Sequence, residues 1–302
     1  MLYDNRLPDE TSGKVIAKDM QLMKRIGTGG FGEVWKAHKQ GTDEYFAIKF
    51  VLGGGGLRNE ARTNQYLWKD SNPVGIPKVI WLGQELNREF IIMDLLGKNI
   101  GEIFEDMGKK FSKKTVYMLA DQMIQRIEFI HSKKWIHRDI KPENFAFGLK
   151  PDTKNTLYIY DFGLMTRYKN GNDHIEYKEA QGVTVGTSRY ISLNCHKRNT
   201  LGRRDDLESL AYTLIFLAKG TLPWLDIKVK SKVEREKIIG QRKEQLSMEE
   251  ICEGIPECFY ALLEYSRNLD FYQDPDYEYC RYLFREQMAD KGWNYDNIYD
   301  WC

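Results

Sequence analysis

The sequence predicts an α+β fold of two lobes, in which a small strand-rich lobe with one major helix precedes a larger helical lobe. Up to Leu96 the apolar runs are mostly short and strand-like, whereas beyond Gly97 apolar residues recur at helical spacing. A length of 302 residues, with 42% apolar and 13% aromatic content, is enough for one core in each lobe. We therefore expect an N-terminal lobe at residues 1–96 and a C-terminal lobe at residues 97–302.

A glycine-rich run lies in the first predicted hairpin. Gly27, Gly29 and Gly32 fit the pattern G-x-G-x-x-G-x-V, in which missing side chains let backbone N–H groups approach phosphates closely. The same glycines also open dinucleotide-binding folds, but there a helix follows them. Here residues 33–37 and 45–49 both read as strands, so the sequence predicts a strand–turn–strand lid over a nucleotide. The residues expected to contact the nucleotide are Ile26, Gly27, Thr28, Gly29, Gly30, Phe31, Gly32, Glu33 and Val34.

Lys49 ends the second of these strands and fits the lysine of the V-A-I-K motif, whose ammonium is aimed at the α- and β-phosphates. A solvated strand-end lysine is the alternative interpretation. Glu60, on a helix expected to run to about Trp68, is the candidate partner, because no other acidic residue lies between it and Lys49. Glu60 could instead be a helix-start acid that complements the helix dipole. The glycines at 53–56 indicate either a mobile approach to this helix or a flexible surface loop.

The remaining elements follow from the spacing of apolar residues. Residues 78–82 and 89–95 read as strands. Apolar residues three and four apart predict an amphipathic helix over residues 113–131. Residues 206–219 are apolar on nearly every side, which predicts a buried helical pillar with Gly220 as its C-terminal stop.

The most specific pattern is H-R-D-I-K-P-E-N at residues 137–144, followed by D-F-G from Asp161; this order supplies the parts that phosphoryl transfer from ATP requires. Asp139 would accept the proton of an attacking hydroxyl, and Lys141 would offset the charge of the transferred phosphate. Asn144 and Asp161 would hold Mg²⁺ ions. A chance cluster in a polar loop is the alternative, and the ordered glycines and lysine upstream argue against it. The ATP would lie between the lobes, against Ala47, Met93, Asp94 and Leu96.

Further stretches of the sequence indicate which protein family the chain resembles. Ser192-Leu193-Asn194 stands where most protein kinases have Ala-Pro-Glu, residues 203–210 read R-R-D-D-L-E-S-L, and residues 220–224 read G-T-L-P-W. With the closing stretch at 293–301, they make the chain resemble a protein kinase of the casein kinase 1 family over nearly its whole length. The resemblance implies a bilobal protein kinase fold, ATP and Mg²⁺ as cofactors, and activity without phosphorylation of the activation segment. It also implies protein substrates in which the target Ser or Thr lies three residues after an acidic or phosphorylated residue.

Two arginines match positions at which this family binds the anionic residue of its substrates. Arg189 lies in the peptide-binding segment at residues 186–190. Arg235 lies in a basic run at residues 228–243, and most lysines of this run otherwise read as a solvated helix face. Asp226 stands where the family generally has glycine, and its carboxylate would oppose an incoming phosphate. We therefore expect the preference for phosphorylated over acidic substrates to be smaller than is usual in the family.

Other departures from the family concern a second anion site and the nucleotide pocket. Thr166 and the region around residues 181–182 replace the usual lysines of that anion site. In the pocket, Ala146 replaces a leucine and Tyr160 replaces an isoleucine, and the two changes together can conserve volume. None of these departures removes a predicted phosphate or metal ligand.

Composition weighs against other classes of protein. A net charge of +1 gives no basis for bulk electrostatic capture of nucleic acid or a membrane surface. The five cysteines have no metal-ligand spacing, and the sequence has a polar start and no long apolar run. We therefore expect a reducing compartment, either the cytoplasm alone or the cytoplasm and the nucleus. A pseudokinase scaffold is the main alternative, against which the retained Lys49, Asp139, Asn144 and Asp161 argue. A small-molecule kinase is a lesser one, against which the peptide-binding segment at 186–190 argues.

Overall fold

The computed structural model describes residues 7–29, 32–51 and 56–302. Its first part is a sheet of strands β1 (Val15–Ile16), β2 (Met20–Gly29), β3 (Gly32–Lys39), β4 (Tyr45–Phe50), β5 (Val79–Glu85) and β6 (Arg88–Asp94). All neighbours are antiparallel, in the order β1-β2-β3-β4-β6-β5. Helix α1 (Gly56–Trp68) contacts β5 and β6. Gly53 to Gly55 lie outside the described residues, and Gly56 begins α1 rather than a loop.

Side chains alternate across β3, and this alternation gives the sheet one face for a core and one for a cleft. Trp35 is buried on one face, while Val34 lies on the other and is partly exposed. The buried face packs against Leu7 and Ile16, from the segment that precedes β2. Fully burying a side chain such as Phe50 contributes about 1.5–3 kcal/mol, so this core fixes the strands that carry the predicted nucleotide contacts.

The chain changes sheets between Asp94 and Leu96. β7 (Leu96–Asn99) pairs with β9 (Phe145–Gly148), and β9 also pairs with β10 (Leu157–Ile159). Two shorter pairs join β8 (Trp135–Ile136) to β11 (Thr166–Arg167) and β12 (Lys169–Asn170) to β13 (Asp173–His174). The H-R-D-containing loop at 137–144 therefore lies between β8 and β9.

Helices dominate the chain after β7. They are α2 (Ile100–Asp106), α3 (Lys113–Ser132), α4 (Leu193–His196), α5 (Arg203–Lys219), α6 (Lys232–Gln245), α7 (Met248–Cys252), α8 (Glu257–Asn268) and α9 (Tyr277–Asp290). α5 is buried along nearly its whole length and contacts both α3 and α8, as expected of a central pillar. It begins three residues before the predicted start and ends at Lys219, and the following Gly220 caps it with a left-handed φ of 80°. In the part of the chain that the structure describes, no helix combines the length and apolarity needed to cross a bilayer.

Candidate active site

A cleft of about 460 Å³ lies between the six-stranded sheet and the helical part of the chain. The hairpin of β2 and β3, together with β4, forms one wall, and the stretch after β6 forms the back. The predicted nucleotide contacts that line it are Ile26, Gly27, Thr28, Gly32, Val34, Ala47, Lys49, Met93, Asp94 and Leu96. Gly29 pairs with Gly32 at the end of the hairpin, and Gly30 and Phe31 lie outside the described residues.

Gly32 is the position in the hairpin where no side chain fits. Its φ is +144°, and a Cβ there would lie 1.9 Å from the carbonyl oxygen of Phe50 on β4. Any other residue would push β3 away from β4. The glycine therefore keeps the tip of the hairpin close to the strand that carries Lys49.

Glu33 does not face the cleft, contrary to the expectation from its place in the glycine-rich run. Its carboxylate is fully buried and pairs with Arg25 at 2.8 Å and Arg88 at 3.0 Å, and it accepts the backbone N–H of Leu7 at 2.7 Å. The physical reason is the two-residue period of a strand: because Val34 lines the cleft, its neighbour points to the opposite face. Glu33 thus joins β2, β3 and β6 on the buried face of the sheet, opposite the cleft.

Lys49 lies between two carboxylates from different elements. Its Nζ donates to Glu60 Oε2 at 2.8 Å and to Asp161 Oδ1 at 2.7 Å, so β4, α1 and the D-F-G segment are joined. Burial lowers the pKa of Lys49, but the two carboxylates outweigh burial and hold the pKa above its usual range. Burial likewise acts to raise the pKa of Asp161, and Lys49 outweighs it, so this pKa lies below its usual value. Burial raises the pKa of Glu60 although Lys49 opposes the increase.

Asp139 accepts hydrogen bonds from three side chains. Lys141 Nζ donates to Oδ2 at 2.6 Å, and Thr187 Oγ1 donates to Oδ1 at 2.8 Å. Asn144 Nδ2 donates to the Asp139 backbone oxygen at 2.8 Å, and to Oδ2 at 3.3 Å. Gly186 allows Thr187 to come this close, because its φ is +90° and a Cβ would lie 2.4 Å from the Arg138 carbonyl oxygen. The carboxylate of Asp139 is therefore oriented from both sides.

Asp206, near the start of α5, anchors the loop that carries Asp139. Its Oδ2 accepts the backbone N–H of His137 at 2.7 Å and the ring of His131 at 2.8 Å, and its Oδ1 accepts the backbone N–H of Arg138 at 2.8 Å. Because a carboxylate only accepts, His131 carries its proton on Nε2 and accepts the Tyr277 hydroxyl at Nδ1. Burial acts to raise the pKa of Asp206, but the bonds from His131 and His137 outweigh it, so the pKa lies below its usual value.

Two residues of the site have left-handed backbone angles. Arg138 has φ of 69° and Asp161 has φ of 66°, which is uncommon for residues with a Cβ. His137 contacts the residue next to each of them: its Nδ1 accepts the N–H of Asp139 at 3.3 Å, and its Nε2 lies 3.2 Å from the Tyr160 carbonyl oxygen. Strained backbone of this kind persists where surrounding contacts determine it, and such positions cluster at active sites.

Ala146 is not among the residues that line the cleft, whereas Tyr160 is. Ala146 is buried on β9 opposite Tyr158, so Tyr160, two residues further on, lies diagonally across from it on the same face. The Tyr160 hydroxyl donates to the Glu143 carbonyl oxygen at 2.6 Å. The large ring thus forms the part of the wall that was expected at Ala146.

The two predicted anion contacts lie on different elements. The Arg189 guanidinium lies 5.2 Å from the ring centre of Phe216 and donates to the Tyr190 hydroxyl at 3.3 Å. Arg235 is exposed on α6. Asp226 pairs with Arg242, so its charge is compensated by an arginine that the sequence had not linked to it.

Thr187 and Asp206 were not predicted as parts of the site. Thr187 is 48 residues from Asp139 in the chain, and the sequence connects it with the site only because it lies in the peptide-binding segment. Asp206 follows Asp205 at a helix start, where paired acids ordinarily indicate only a favourable dipole interaction. Neither contact can be read from local spacing.

The chain matches a model of a known protein family. A family model described as "Protein kinase domain" matches residues 20–269, from the first residue of β2 to the residue after α8. The match therefore includes the hairpin, the loop that carries Asp139 and the pillar α5.

Proposed function

The chain belongs to the protein kinase family, and on that basis we propose that it transfers the γ-phosphate of ATP to Ser and Thr hydroxyls of protein substrates. Because the chain belongs to this family, its two-lobed α+β architecture is a protein kinase fold, as the sequence predicted. It also implies, in general terms, a phosphotransferase that uses ATP and a divalent metal. The observation that carries the proposal is the set of contacts at Asp139, beside a cleft that contains the Lys49 ion pairs.

In the proposed reaction the substrate hydroxyl oxygen forms a bond to the γ-phosphorus while the bond from phosphorus to the β,γ-bridging oxygen breaks. The hydroxyl proton passes to the carboxylate of Asp139. Lys141, 2.6 Å from that carboxylate, offsets the negative charge of the transferred group. Thr187 fixes the other carboxylate oxygen, so the base is oriented before the substrate arrives.

The proposed nucleotide contacts divide by chemistry. Backbone N–H groups of Gly27, Thr28, Gly29 and Gly32, with Lys49, would hold the phosphates. Apolar side chains would enclose the adenine, namely Ile26, Val34, Ala47, Met93 and Leu96, with Tyr160 taking the place proposed for Ala146. Asp94 lies at the back of the cleft, where backbone groups would contact the edge of the adenine base.

Asn144 and Asp161 would hold Mg²⁺. Mg²⁺ keeps several waters and is bound through one or two carboxylates together with substrate phosphates, so a small set of protein ligands fits it. The bound ion would neutralise charge that develops on the phosphates. Lys49 keeps Asp161 ionised, as a metal ligand must be.

We propose further that the enzyme is of the casein kinase 1 type and prefers acidic or phosphorylated protein substrates. Arg189 and Arg235 supply guanidinium groups that carboxylates and phosphates both accept. Asp226 lowers the preference for phosphate, although its pairing with Arg242 reduces the effect. We place the protein in the cytoplasm or nucleus, where the free thiols of its cysteines stay reduced, and expect neither nucleic acid nor membranes as partners.

The test is transfer of labelled phosphate from ATP to a peptide library with acidic, phosphorylated and neutral members. Asp139→Asn and Asp161→Asn should each lower turnover by at least about 10²-fold without unfolding the protein. Wild-type rates in either variant would contradict the proposal. Nucleotide binding without transfer by the unmodified protein would instead support a pseudokinase scaffold.

A further inference from the structure

Lys243 is fully buried, although it belongs to the basic run that the sequence presents as a solvated helix face. Its Nζ donates to the carbonyl oxygens of Ser188 at 3.0 Å and Ile191 at 2.7 Å. The ammonium also lies 4.7 Å from the ring centre of Tyr212 and 5.0 Å from that of Trp224. A buried charge is costly unless it has such partners. Lys243 is therefore an exception to the solvated helix face expected for most lysines of this run.

The Ser188 carbonyl belongs to the peptide-binding segment at residues 186–190, and the Ile191 carbonyl directly follows it. The opposite side of this segment contacts the catalytic loop. Thr187 donates to Asp139 at 2.8 Å, and its carbonyl accepts the N–H of Tyr190 at 2.8 Å in a tight turn. Between the two carbonyls bound by Lys243, the Arg189 carbonyl accepts the indole N–H of Trp224 at 2.9 Å. The segment is thus held to Asp139 on one side and to Lys243 and Trp224 on the other.

We propose that Lys243 is a positioning residue for protein substrates, because its ammonium fixes the carbonyls of Ser188 and Ile191 and so holds the peptide-binding segment against Asp139. The inference rests on the proposed kinase function. Lys243 is not among the residues that line the nucleotide cleft, so its removal should affect protein substrates and leave ATP binding unchanged.

The charge of Lys243 should make this positioning depend on pH. Burial lowers the pKa of Lys243 to about 7, with Glu208 and Cys195 opposing the decrease and Arg267 adding to it. The titratable and charged groups that face Lys243 are Glu208 and Tyr212 on α5, Cys195 and His196 on α4, and Arg267 on α8.

Several of these groups keep one charge state across neutral pH. Burial raises the pKa of Cys195 to about 11 and that of Tyr212 well above its usual value, and burial lowers the pKa of His196 to about 3. Above pH 7 the neutral amine of Lys243 keeps two N–H donors but loses the charge that strengthens both hydrogen bonds. We therefore expect KM for a peptide to rise as the pH increases through 7, with KM for ATP unaffected by this group.

Three variants test the proposal. Lys243→Met removes the ammonium and keeps the apolar stem, Lys243→Arg keeps the charge, and Lys237→Met changes an exposed lysine on the same helix. Steady-state kinetics for peptide and ATP at pH 6.5 and 8.5 are combined with hydrogen exchange at residues 186–191. Lys243→Met should raise KM for the peptide about tenfold, remove its pH dependence and accelerate exchange in the segment. Lys243→Arg should restore part of the affinity, and Lys237→Met should behave as the unmodified protein.

An unchanged peptide KM and unchanged exchange in Lys243→Met would overturn the proposal. It would also be overturned if KM for ATP rose in parallel and protection fell throughout the chain, because that pattern describes a purely structural residue. If Lys243→Met does not fold, Lys243→Gln, which keeps neutral N–H donors, takes its place with the same expected pattern. Absence of transfer by the unmodified protein would defeat the proposed function, whereas exchange at 186–191 would still decide the role of Lys243.

Discussion

Replacing Asp206 by asparagine should damage the catalytic loop more than any equally small change nearby. The carboxylate accepts the backbone N–H groups of His137 and Arg138 and the Nε2–H of His131, all at 2.7 to 2.8 Å. Asparagine has one acceptor oxygen, and its amide N–H₂ would face at least one of these donors. A hydrogen bond to a charged group contributes about 1.5–3 kcal/mol, so losing one or two of them should cost about 3 kcal/mol of unfolding free energy.

The same change should lower turnover beyond its effect on stability. His137 and Arg138 immediately precede Asp139, so a loop that loses its anchor displaces the proposed base. A displacement of the order of 1 Å can cost about 10²-fold in rate, and we expect a decrease in kcat of that size at a temperature where the variant is folded. Chemical denaturation and phosphate transfer to a peptide measure the two effects separately.

Asp205→Asn is the matched control, because it removes the neighbouring buried carboxylate from the same helix. Asp205 accepts from Gly202 N and Ser192 Oγ, both at 2.7 Å, and asparagine can keep both contacts because the serine hydroxyl can also accept. Burial raises the pKa of Asp205 to about 6 from an ordinary 3.8, so ionising it costs the folded protein about 3 kcal/mol.

The sign of the pH dependence follows from that raised pKa. The unmodified protein has the full contribution of Asp205 below pH 3.8 and loses it as the pH rises through 6. The uncharged variant has no such loss, so Asp205→Asn should match the unmodified protein at acid pH and be more stable by up to about 3 kcal/mol at pH 7.5. If Asp206→Asn kept the stability and turnover of the unmodified protein, or if Asp205→Asn lowered both as much at pH 7.5, the reasoning would be refuted.

Three further outcomes are expected. The purified protein should stay active after phosphatase treatment, because the resemblance implies activity without phosphorylation of residues 161–194; silencing by phosphatase would contradict this. Arg189→Ala should raise KM for acidic peptides severalfold with less effect on kcat. Asp226→Gly should selectively improve phosphorylated peptides. If Asp226→Gly left the ratio of kcat/KM for phosphorylated to acidic peptides unchanged, Asp226 would lie outside the substrate site. Tyr160→Ile should leave a gap in the cleft wall and weaken ATP binding, which is measured as a higher KM for ATP. Adding Ala146→Leu should restore the ATP affinity, because the two side chains lie on the same face. No recovery in the double variant would mean that the two side chains do not fill the same space.

The elements and groups that sequence reasoning anticipated are those whose signals are local. The strands of the hairpin, the helix at 113–131 and the stop at Gly220 each depend on residues within a few positions of one another. The contact between Lys49 and Glu60 spans only 11 residues and joins a strand to the next helix, so its two partners could be paired by elimination. Glu33 could also have been placed correctly, because alternation along β3 puts it on the face opposite Val34.

The contacts that sequence reasoning missed join residues distant in the chain. Thr187 reaches Asp139 across 48 residues, Asp206 reaches His137 across 69, and Lys243 reaches Ser188 across 55. Nothing in the local pattern distinguishes these side chains from an ordinary hydroxyl, a helix-start acid or a solvated lysine. Their roles are decided by which helices pack together, and that depends on the core as a whole.

These distant contacts share a physical purpose. Ordering a loop costs conformational entropy for each of its residues, and a loop at the surface of a cleft has few apolar contacts to offset that cost. Here the ordering is supplied by Asp206 on α5, which is buried along nearly its whole length, and by the buried Lys243 of α6, whose ammonium lies over the ring of Tyr212 on α5. Asp206 determines where the catalytic loop lies, and Lys243 determines where the peptide-binding segment lies. Since Asp139 and Thr187 meet where those two segments touch, the geometry of the proposed chemistry depends on the packing of the helical lobe as much as on the residues of the motif itself.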